Sequence, residues 1–307
     1  MLTNRKVWTN SGFVPWEEAT VHLMSHSVGR GSTIFEVLSV HATQKGTAIF
    51  RLDQHVQRFF RSAESLQMML PLDQLTLTQA ICQTVALNDV RQGLVKVMGI
   101  YPDPEFGILP PAGPIEVVIF AIDPNEDLGG VNFPFDTGTT ACIASLRKLD
   151  PSTIPIQAKA AANYLNGMIA RQEARDRGFE TALLLDTQGF IAEGPTESVF
   201  LVCDDEIFTP VLGTILDSIT RRSILTIATD MGMQVHQQRL PKSLLYKADE
   251  IFMSGTPNKI LPVRTIEDRQ MPQIPGPVVK RLSKSMAEIT SGHHSLYQNW
   301  LFPVLDG

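Results

Sequence analysis

Two spacings of apolar residues alternate along the chain, one typical of helices and one typical of strands. Asp53 is a good N-cap residue and precedes apolar positions at helical spacing, so a helix is predicted to begin near Asp53. Its buried face is predicted to comprise Val56, Phe59, Phe60, Ala63, Leu66 and Leu70. The first half is also predicted to contain a helix at Leu75–Leu87 and strands at Lys6–Trp8, Gly31–His41, Thr47–Arg51, Leu94–Ile100 and Ile115–Ile122.

The second half has the same mixture of patterns. Helices are predicted at Lys159–Arg177, ending at Gly178, at Ile219–Met231 and after Pro241, with strands at Thr181–Asp186, Phe190–Ala192, Ser198–Val202, Glu206–Thr209, Gln234–Leu240 and Glu250–Ser254. Between the halves, the segment 121–136 combines prolines, glycines and acidic residues. The pattern therefore predicts an α+β protein with an N-terminal domain at 1–123, a linker at 124–136 and a C-terminal domain at 137–307.

The composition narrows the class of partner. The chain has 307 residues, 43% of them hydrophobic, which is enough for about two domains. Its formal net charge of −6, without a Lys/Arg-rich run, argues against nucleic acid or an anionic membrane surface as a partner. The N-terminus lacks an apolar signal core, the apolar runs are too short to span a bilayer, and the three widely spaced cysteines suit buried thiols. We therefore expect a cytoplasmic protein.

One segment carries residues suited to a particular chemistry. Lys159 lies among alanines, and burial would lower its pKa and leave an amine able to attack an aldehyde. Tyr164 is suited to hydrogen-bonding a phenolic oxygen, and Glu193 is suited to pairing with a protonated ring nitrogen. Together these groups suit a pyridoxal phosphate site. By pattern alone, each also fits an ordinary role, as a solvated lysine, a core tyrosine or an exposed acid in a turn.

Several longer segments resemble a known family. The run KAAANYLNGMIARQEARDRGFETALLLDTQGFIAEGPTESVF at 159–200 is similar to the class IV (fold type IV) pyridoxal phosphate aminotransferases, and most to the branched-chain amino acid aminotransferases. Further similar segments are RLDQHVQRFFRSAESL at 51–66, LPPAG at 109–113, SITR at 218–221 and MSGTPNKILPV at 253–263. The resemblance implies the two-domain, D-amino acid aminotransferase-like α+β fold, with the cofactor between the domains. It also implies a homodimer or higher homo-oligomer in which a second subunit completes the active site.

The resemblance also implies roles for individual residues. Lys159 would form the Schiff base with pyridoxal phosphate and, once released as an amine, move the proton between the substrate α-carbon and the cofactor. Tyr164 would bond the phenolic oxygen, and Glu193 would keep the ring nitrogen protonated so that the ring withdraws electrons. The remaining cofactor-binding residues, on the phosphate side, would be Arg58, Ile219, Thr220 and Thr256.

The substrate side departs from the branched-chain pattern. Branched-chain enzymes typically have a tyrosine before the glycine of the first active-site strand and then Phe-Glu-Gly-x-Arg. This chain has Arg30 before that glycine, Val37 in place of the second glycine and Ser39 in place of the arginine, and Lys96 replaces an arginine of the next strand. Arg30 adds a charge suited to holding a carboxylate, and Val37 adds volume to the pocket wall. The predicted substrate-binding residues are Arg30, Phe35, Val37, Lys96, Gly255 and Thr256.

The expected activity is the transfer of an amino group between an L-branched-chain amino acid and 2-oxoglutarate by a ping-pong mechanism. The departures keep a second possibility open: a D-amino acid or R-amine transaminase, or an aminodeoxychorismate lyase, on the same fold. A noncatalytic binding protein is a third possibility. No metal site is predicted, because His22 and His26 have helical spacing but no evident third ligand.

Overall fold

The computed structural model describes residues 2–130 and 134–304. These residues form two compact units. The first unit comprises the described residues within Met1–Val131, Ala158–Ala162 and Glu288–Gly307, and the second comprises those within Asn132–Gln157 and Asn163–Ala287. Each unit has its own sheet and its own apolar core.

The α-helices of the described residues are α1 (His26–Arg30), α2 (Leu52–Ser65), α3 (Gln74–Leu87), α4 (Pro124–Asp127), α5 (Tyr164–Asp176), α6 (Ile219–Asp230) and α7 (Pro277–Thr290). The strands are β1 (Lys6–Thr9), β2 (Gly12–Pro15), β3 (Ile34–Thr43), β4 (Gly46–Phe50), β5 (Gly93–Ile100), β6 (Glu116–Ile122), β7 (Thr139–Ile143), β8 (Thr181–Leu183), β9 (Ser198–Cys203), β10 (Glu206–Pro210), β11 (Val235–Gln238), β12 (Glu250–Ser254), β13 (Leu261–Ile266), β14 (Arg269–Gln270) and β15 (Leu301–Pro303). Within these described residues, no helix has the length and apolar character needed to cross a bilayer.

The first unit is built on an antiparallel sheet with the strand order β15-β4-β3-β5-β6-β1-β2. Successive residues of a strand point to opposite faces, and in β3 the residues Ile34 and Leu38 are buried whereas Phe35 and Val37 are only partly buried. The predicted apolar face of α2 packs in the same core cluster as Ile34 and Leu38. β3 therefore has one face covered by α2 and an opposite face that carries Phe35.

The second unit is built on a mixed sheet with the strand order β11-β10-β9-β12-β13-β7-β8, and β14 pairs with β13. β10–β11, β13–β7 and β7–β8 are parallel pairs, and the other pairs are antiparallel. Both faces of the central strands β9 and β12 are buried, which explains why their sequences are continuous apolar runs without alternation.

The segment around Lys159 differs from the prediction. We predicted a helix beginning at Lys159, but α5 begins at Tyr164, after a short 3-10 helix. The preceding residues are extended beside β3: the Phe35 N–H donates to the Lys159 carbonyl at 2.9 Å, and the Ala161 N–H donates to the Thr33 carbonyl at 2.8 Å. Backbone groups that bond to a strand cannot also complete a helical turn. Lys159 therefore lies on a strand-like segment.

Two smaller predictions were also wrong, one about the N-cap of α2 and one about a short strand. α2 begins at Leu52, and its N-cap is Arg51, whose φ of 52° is in the left-handed region, rather than Asp53. The strand predicted at Phe190–Ala192 is reduced to isolated bridges, because Ile191 pairs with Leu185 while Phe190 pairs with Pro241. The elements that the pattern did not predict are α1, α4, α7, β2, β7, β13, β14 and β15.

The C-terminal residues join the first unit. β15 pairs antiparallel with β4, and the Arg51 guanidinium lies 4.5 Å from the centre of the Trp300 ring. The compact units thus differ from the predicted domains, which assigned both Ala158–Ala162 and the chain after Glu288 to the C-terminal domain. The predicted linker contains α4, and its residues 131–133 lie outside the described residues.

Candidate active site

Lys159 lies beside the face of β3 that α2 does not cover. Its backbone N–H donates to Ser62 Oγ of α2 at 3.0 Å. Its Nζ lies 4.6 Å from the centre of the Phe35 ring, and the Lys96 Nζ lies 5.6 Å from the centre of the same ring. Both distances fall within the range of cation–π contacts. The first unit thus brings two predicted site residues, Lys159 and Lys96, to the ring of a third, Phe35.

Val37 belongs to the same face of β3. It is the Cα partner of Lys96 across the β3–β5 pair, and Phe35 is the Cα partner of Met98. Val37 is partly buried and Lys96 is exposed. The two departures from the branched-chain pattern are therefore neighbours on one surface, where a side chain at either position changes the shape around Phe35.

Arg30 binds a loop of the first unit. Its Nε and Nη2 donate to the carbonyl oxygens of Gly107 and Phe106 at 3.3 and 3.1 Å. His26, one turn earlier in α1, contacts the Ile108 carbonyl through Nε2 at 3.2 Å. Because a carbonyl can only accept, His26 must carry its proton on Nε2, and Nδ1 then accepts from Ser32 Oγ at 2.8 Å. In this arrangement Arg30 fixes the loop, whereas a role in holding a substrate carboxylate stays a prediction.

The opposite face of β3 carries a buried charge cluster. Glu36 receives two hydrogen bonds from Arg58, Nε to Oε1 at 2.7 Å and Nη2 to Oε2 at 2.8 Å. His55 Nδ1 donates to Glu36 Oε2 at 2.7 Å. Burial opposes the charge on Glu36, but Arg58 and the His55 hydrogen bond outweigh it, so the pKa of Glu36 falls to about 2. Burial lowers the pKa of His55 to about 4, which leaves this imidazole neutral at neutral pH.

This cluster explains the position of Arg58. Arg58 is not one of the apolar positions of α2, and such a position is typical of a surface arginine, yet the residue is buried. Glu36 makes this burial possible, because a buried guanidinium requires a paired carboxylate. The role of Arg58 as a phosphate ligand stays a prediction.

In the second unit, Glu193 carries a buried carboxylate. Its Oε1 lies 2.6 Å from the Lys148 ammonium, and its Oε2 accepts from the Leu216 N–H at 3.2 Å. Glu197, four residues later, pairs instead with Arg171 at 2.8 Å. The two acids of this turn thus have separate cationic partners, and Glu193 is the one enclosed with its partner.

Tyr164 begins α5, and α5 is fixed against the turn that follows Glu193. The contact is made by Gly167, whose missing side chain allows the Pro195 backbone to approach the helix closely. A Cβ at Gly167 would overlap the Pro195 carbonyl oxygen and lie 3.0 Å from its carbonyl carbon. The packing at Gly167 therefore holds the start of α5 and the turn after Glu193 in one arrangement.

The start of α6 forms a set of backbone donors. Ser218 is the N-cap, and its Oγ accepts from the Arg221 N–H at 3.2 Å. Ile219 and Thr220 occupy the first two helical positions, whose N–H groups have no intrahelical acceptor and lie at the positive end of the helix dipole. The buried Arg221 side chain anchors this turn, because its Nη2 donates to the Pro210 carbonyl of β10 at 2.7 Å. This geometry suits an anion.

The Gly255–Thr256 turn follows β12 and is closed by Lys259. The Lys259 N–H donates to the Gly255 carbonyl at 2.8 Å, and the Lys259 Nζ donates to the Thr256 carbonyl at 2.6 Å. Although Lys259 retains some solvent exposure, burial of its ammonium lowers its pKa to about 7. The turn therefore has a cation within it that can lose its proton near neutral pH.

A family model and a curated relative match this chain over most of its length. The model described as amino-transferase class IV matches residues 33–266. The branched-chain-amino-acid aminotransferase of Escherichia coli (strain K12) is 34% identical over 99% of this chain and 99% of its own length. The chain belongs to the class IV aminotransferases. The predicted family is thereby confirmed.

The fold of this class IV aminotransferase is also similar to solved structures of the same family. The T.th. branched-chain amino acid aminotransferase complexed with N-(5'-phosphopyridoxyl)-L-glutamate has a TM-score of 0.93 and 34% identity, covering 99% of this chain and 100% of that chain. The same enzyme complexed with 4-methylvaleric acid also has a TM-score of 0.93, with the same identity and coverage. The predicted α+β class IV fold is confirmed.

Class IV aminotransferases are pyridoxal phosphate enzymes, and the residues of this chain fit that cofactor. The cofactor has an aldehyde, a ring nitrogen and a phosphate, which require an amine, a carboxylate and anion-binding donors. In the first unit Lys159 would supply the amine. In the second unit the buried carboxylate of Glu193 and the N–H donors at the start of α6 would meet the other two groups. Within residues 2–130 and 134–304, no group of three side chains suited to a metal ion is assembled.

Some residues near the predicted site residues of this aminotransferase contact partners far along the chain, and the sequence pattern does not mark them. Examples are Lys148, which contacts Glu193, and Ser62, which binds the backbone of Lys159. One signal could have found His55: it precedes Arg58 by three residues, a spacing that puts both side chains on one helix face. Lys148 lies in a polar loop, where no periodicity marks it.

Proposed function

We propose that this aminotransferase transfers the amino group of L-leucine, L-isoleucine or L-valine to 2-oxoglutarate by a ping-pong mechanism. One observation supports this most strongly: the similarity to branched-chain enzymes extends over the whole chain, at 34% identity to the Escherichia coli protein. The T.th. relative is known in complex with a phosphopyridoxyl derivative of L-glutamate and with 4-methylvaleric acid. An L-glutamate adduct and a branched carboxylic acid correspond to the two kinds of substrate that we propose.

Lys159 is the proposed catalytic residue. Pyridoxal phosphate, when bound, supplies an aldehyde that links to amino groups and a ring that withdraws electrons. The amine of Lys159 takes the proton from the substrate α-carbon and later gives a proton to the cofactor. The Phe35 ring, 4.6 Å from Nζ, stabilises the ammonium while it holds that proton.

The other proposed roles concern binding. In the second unit, Tyr164 holds the phenolic oxygen and Glu193 the ring nitrogen. The proposed phosphate ligands are Arg58 in the first unit and, in the second unit, the N–H groups of Ile219 and Thr220. The Gly255–Thr256 turn is proposed to bind both cofactor and substrate, and the remaining proposed substrate-binding residues are Arg30, Phe35, Val37 and Lys96.

A second candidate substrate class has its own support. Val37 replaces the glycine of the branched-chain pattern, and Lys96, its partner across β3 and β5, replaces the arginine. Both lie on the surface around Phe35, where a larger side chain and a shorter cation alter the space available to a substrate. A D-amino acid or an R-amine is therefore the alternative substrate class.

We also propose that the enzyme is a homodimer. The first unit exposes an apolar patch formed by Leu23, Met24, Phe106, Ile108 and Leu109, and the exposed fraction is 81% for Leu23 and 79% for Phe106. Its two segments are joined, because the Glu105 N–H donates to the Met24 carbonyl at 3.1 Å. Exposed apolar side chains on two joined segments are typical of a protein interface, and a second copy of the chain is the commonest partner.

Half-reactions test the proposed substrates. L-leucine, D-alanine and an R-amine are added separately to the purified enzyme without an oxo acid, and the absorbance of the bound cofactor is followed. We expect conversion with L-leucine alone, and 2-oxoglutarate should restore the original spectrum. Conversion only with D-alanine or the R-amine would replace the branched-chain proposal with the alternative. Lys159→Ala should show no conversion with any donor, and turnover near the wild-type rate in this variant would exclude Lys159 as the catalytic base.

A further inference from the structure

Glu193 pairs with Lys148, which is not among the proposed cofactor-binding or substrate-binding residues. The Lys148 Nζ lies 2.6 Å from Glu193 Oε1, and the two side chains are only 13% and 9% exposed. The attraction between opposite charges at this distance is much stronger in an enclosed site than in water. Lys148 is therefore a permanent part of the electrostatic environment of this carboxylate.

The backbone fixes both residues on one short segment. The Lys148 N–H donates to the Leu185 carbonyl at 2.8 Å. The adjacent residue, Leu184, donates its N–H to the Glu193 carbonyl at 2.9 Å and accepts at its carbonyl from the Ala192 N–H at 3.0 Å. Lys148 and Glu193 are thus bound to neighbouring residues of the same extended segment. The backbones of both residues are therefore held beside this segment, which directly follows β8.

The Arg171–Glu197 pair of the same unit differs in this respect. Arg171 is 48% exposed, so water competes for its guanidinium. Glu197 also accepts from the Thr196 N–H at 2.9 Å, which is a contact within its own turn. Arg171 and Glu197 therefore form a partly solvated structural pair, and they provide a matched comparison for Lys148 and Glu193.

We infer that Lys148 determines where the proton lies between Glu193 and the ring nitrogen of the cofactor. This inference rests on the proposed role of Glu193. One proton is shared in that contact, either as a pyridinium beside a carboxylate or as a pyridine beside a carboxylic acid. No other atom moves between the two forms. The Lys148 ammonium touches the carboxylate itself, so it stabilises the anionic carboxylate more than it repels a cation beyond it. The proton is thereby kept on the ring nitrogen.

Lys148 is thus a positioning residue for a proton. A protonated ring withdraws electrons from the substrate α-carbon more strongly than a neutral ring does. The proton that Lys159 removes is more acidic as a result. Without the ammonium, the anionic carboxylate would lose this stabilisation and would hold the proton for a larger share of the time.

The test uses the holoenzyme loaded with pyridoxal phosphate labelled with 15N at the ring nitrogen. The 15N chemical shift distinguishes a protonated ring from an unprotonated one. We expect the protonated value in the wild type and in Lys148→Arg, which keeps the charge. In Lys148→Met and Lys148→Gln the resonance should move towards the unprotonated value. The kcat should fall by about tenfold or more in these two variants, as is typical when a residue that orients a site ligand is lost.

Two comparisons separate charge from structure. Lys148→Gln keeps a hydrogen-bond donor for Glu193 without the charge, so a wild-type 15N shift in this variant overturns the inference. Arg171→Met removes the cation of the other pair and should leave the 15N shift unchanged. An unprotonated ring in the wild type also overturns the inference. A wild-type protein that binds no pyridoxal phosphate would instead contradict the proposed function, and this inference with it.

Discussion

At the scale of single residues, the cluster around Glu36 follows from where a strand places its side chains. Glu36 occupies the same face of β3 as Ile34 and Leu38, so its carboxylate is carried into the core beneath α2. An unpaired charge there would be too costly. Arg58 and His55 resolve this problem in different ways, since Arg58 brings a compensating charge and His55 a neutral donor.

The neutral state of His55 makes the stability of the first unit depend on pH. Its pKa falls from the ordinary 6.5 to about 4, so between these values the unfolded chain binds a proton that the folded chain does not. Stability should therefore decrease as the pH falls from about 6.5 to 4, by on the order of 3 kcal/mol for this residue. Glu36 extends the loss from pH 4.5 towards pH 2 as its carboxyl becomes protonated. Urea unfolding at a series of pH values measures this dependence.

His55→Gln isolates the histidine contribution. Glutamine can still donate to Glu36 but does not titrate, so the free energy of unfolding of this variant should change much less between pH 6.5 and 4. His22→Gln provides the control, because His22 is exposed and its replacement should leave the wild-type dependence intact. If His55→Gln lost stability as steeply as the wild type on acidification, His55 would not be buried in its neutral form.

Residues within a continuous motif could be predicted from the sequence, whereas residues defined by a distant partner could not. Lys159, Tyr164 and Glu193 lie in one run whose resemblance to the family is high. Lys148 contacts Glu193 from 45 residues away in a loop without periodicity, and Glu36 meets Arg58 across 22 residues. These pairings depend on the sheet and helix packing, which an apolar pattern does not specify in such detail.

At the scale of elements, the segment before α5 shows tertiary structure overriding local propensity. The alanines after Lys159 favour a helix, and the pattern alone extended α5 back to Lys159. In the structure, Ala158 and Ala160 are buried beside β3, where their small side chains allow the backbone to pair with the strand. Because of this pairing, the Lys159 side chain lies on the same face of β3 as Phe35. A helix beginning at Lys159 would not fix the side chain in this way.

Gly167 provides a test of how α5 is held. Gly167→Ala would place a methyl group against the Pro195 backbone, so either α5 or the turn after Glu193 must shift. We expect a loss of about 1–3 kcal/mol in stability, as is typical of overpacking. Tyr164 and Glu193 belong to the displaced elements, so the affinity for pyridoxal phosphate should fall as well. Thermal unfolding with and without the cofactor measures both effects.

Gly29→Ala is the matched control for Gly167→Ala. Gly29 also lies in a helix, but a Cβ there would meet no atom within 4 Å. This variant should unfold at or slightly above the wild-type temperature, because alanine favours a helix more than glycine does. Equal behaviour of the two variants would mean that the close approach at Pro195 has no role in holding the site.

At the scale of the whole molecule, two α+β halves could be predicted from the sequence, but not the route of the chain between them. The helix and strand patterns of each half are local, and most of the predicted elements are present. The return of Ala158–Ala162 and of the C-terminal residues to the first unit depends on strand pairing between distant segments. β15 pairs with β4 across some 250 residues, and the sequence of β15 is too short to predict which strand it pairs with.

The proposed dimer depends on the apolar patch of Leu23, Met24, Phe106, Ile108 and Leu109. Phe106→Ser with Ile108→Ser replaces two side chains that are each 79% exposed, so the fold of the chain should be little affected. Losing one buried apolar side chain costs an interface about 1.5–3 kcal/mol of binding free energy. The double substitution should therefore weaken association at least tenfold. Sedimentation velocity should show a dimer for the wild type and for the control Leu75→Ser with Leu296→Ser, whose residues are exposed elsewhere on the first unit. A patch variant that stayed dimeric would place the interface on another surface.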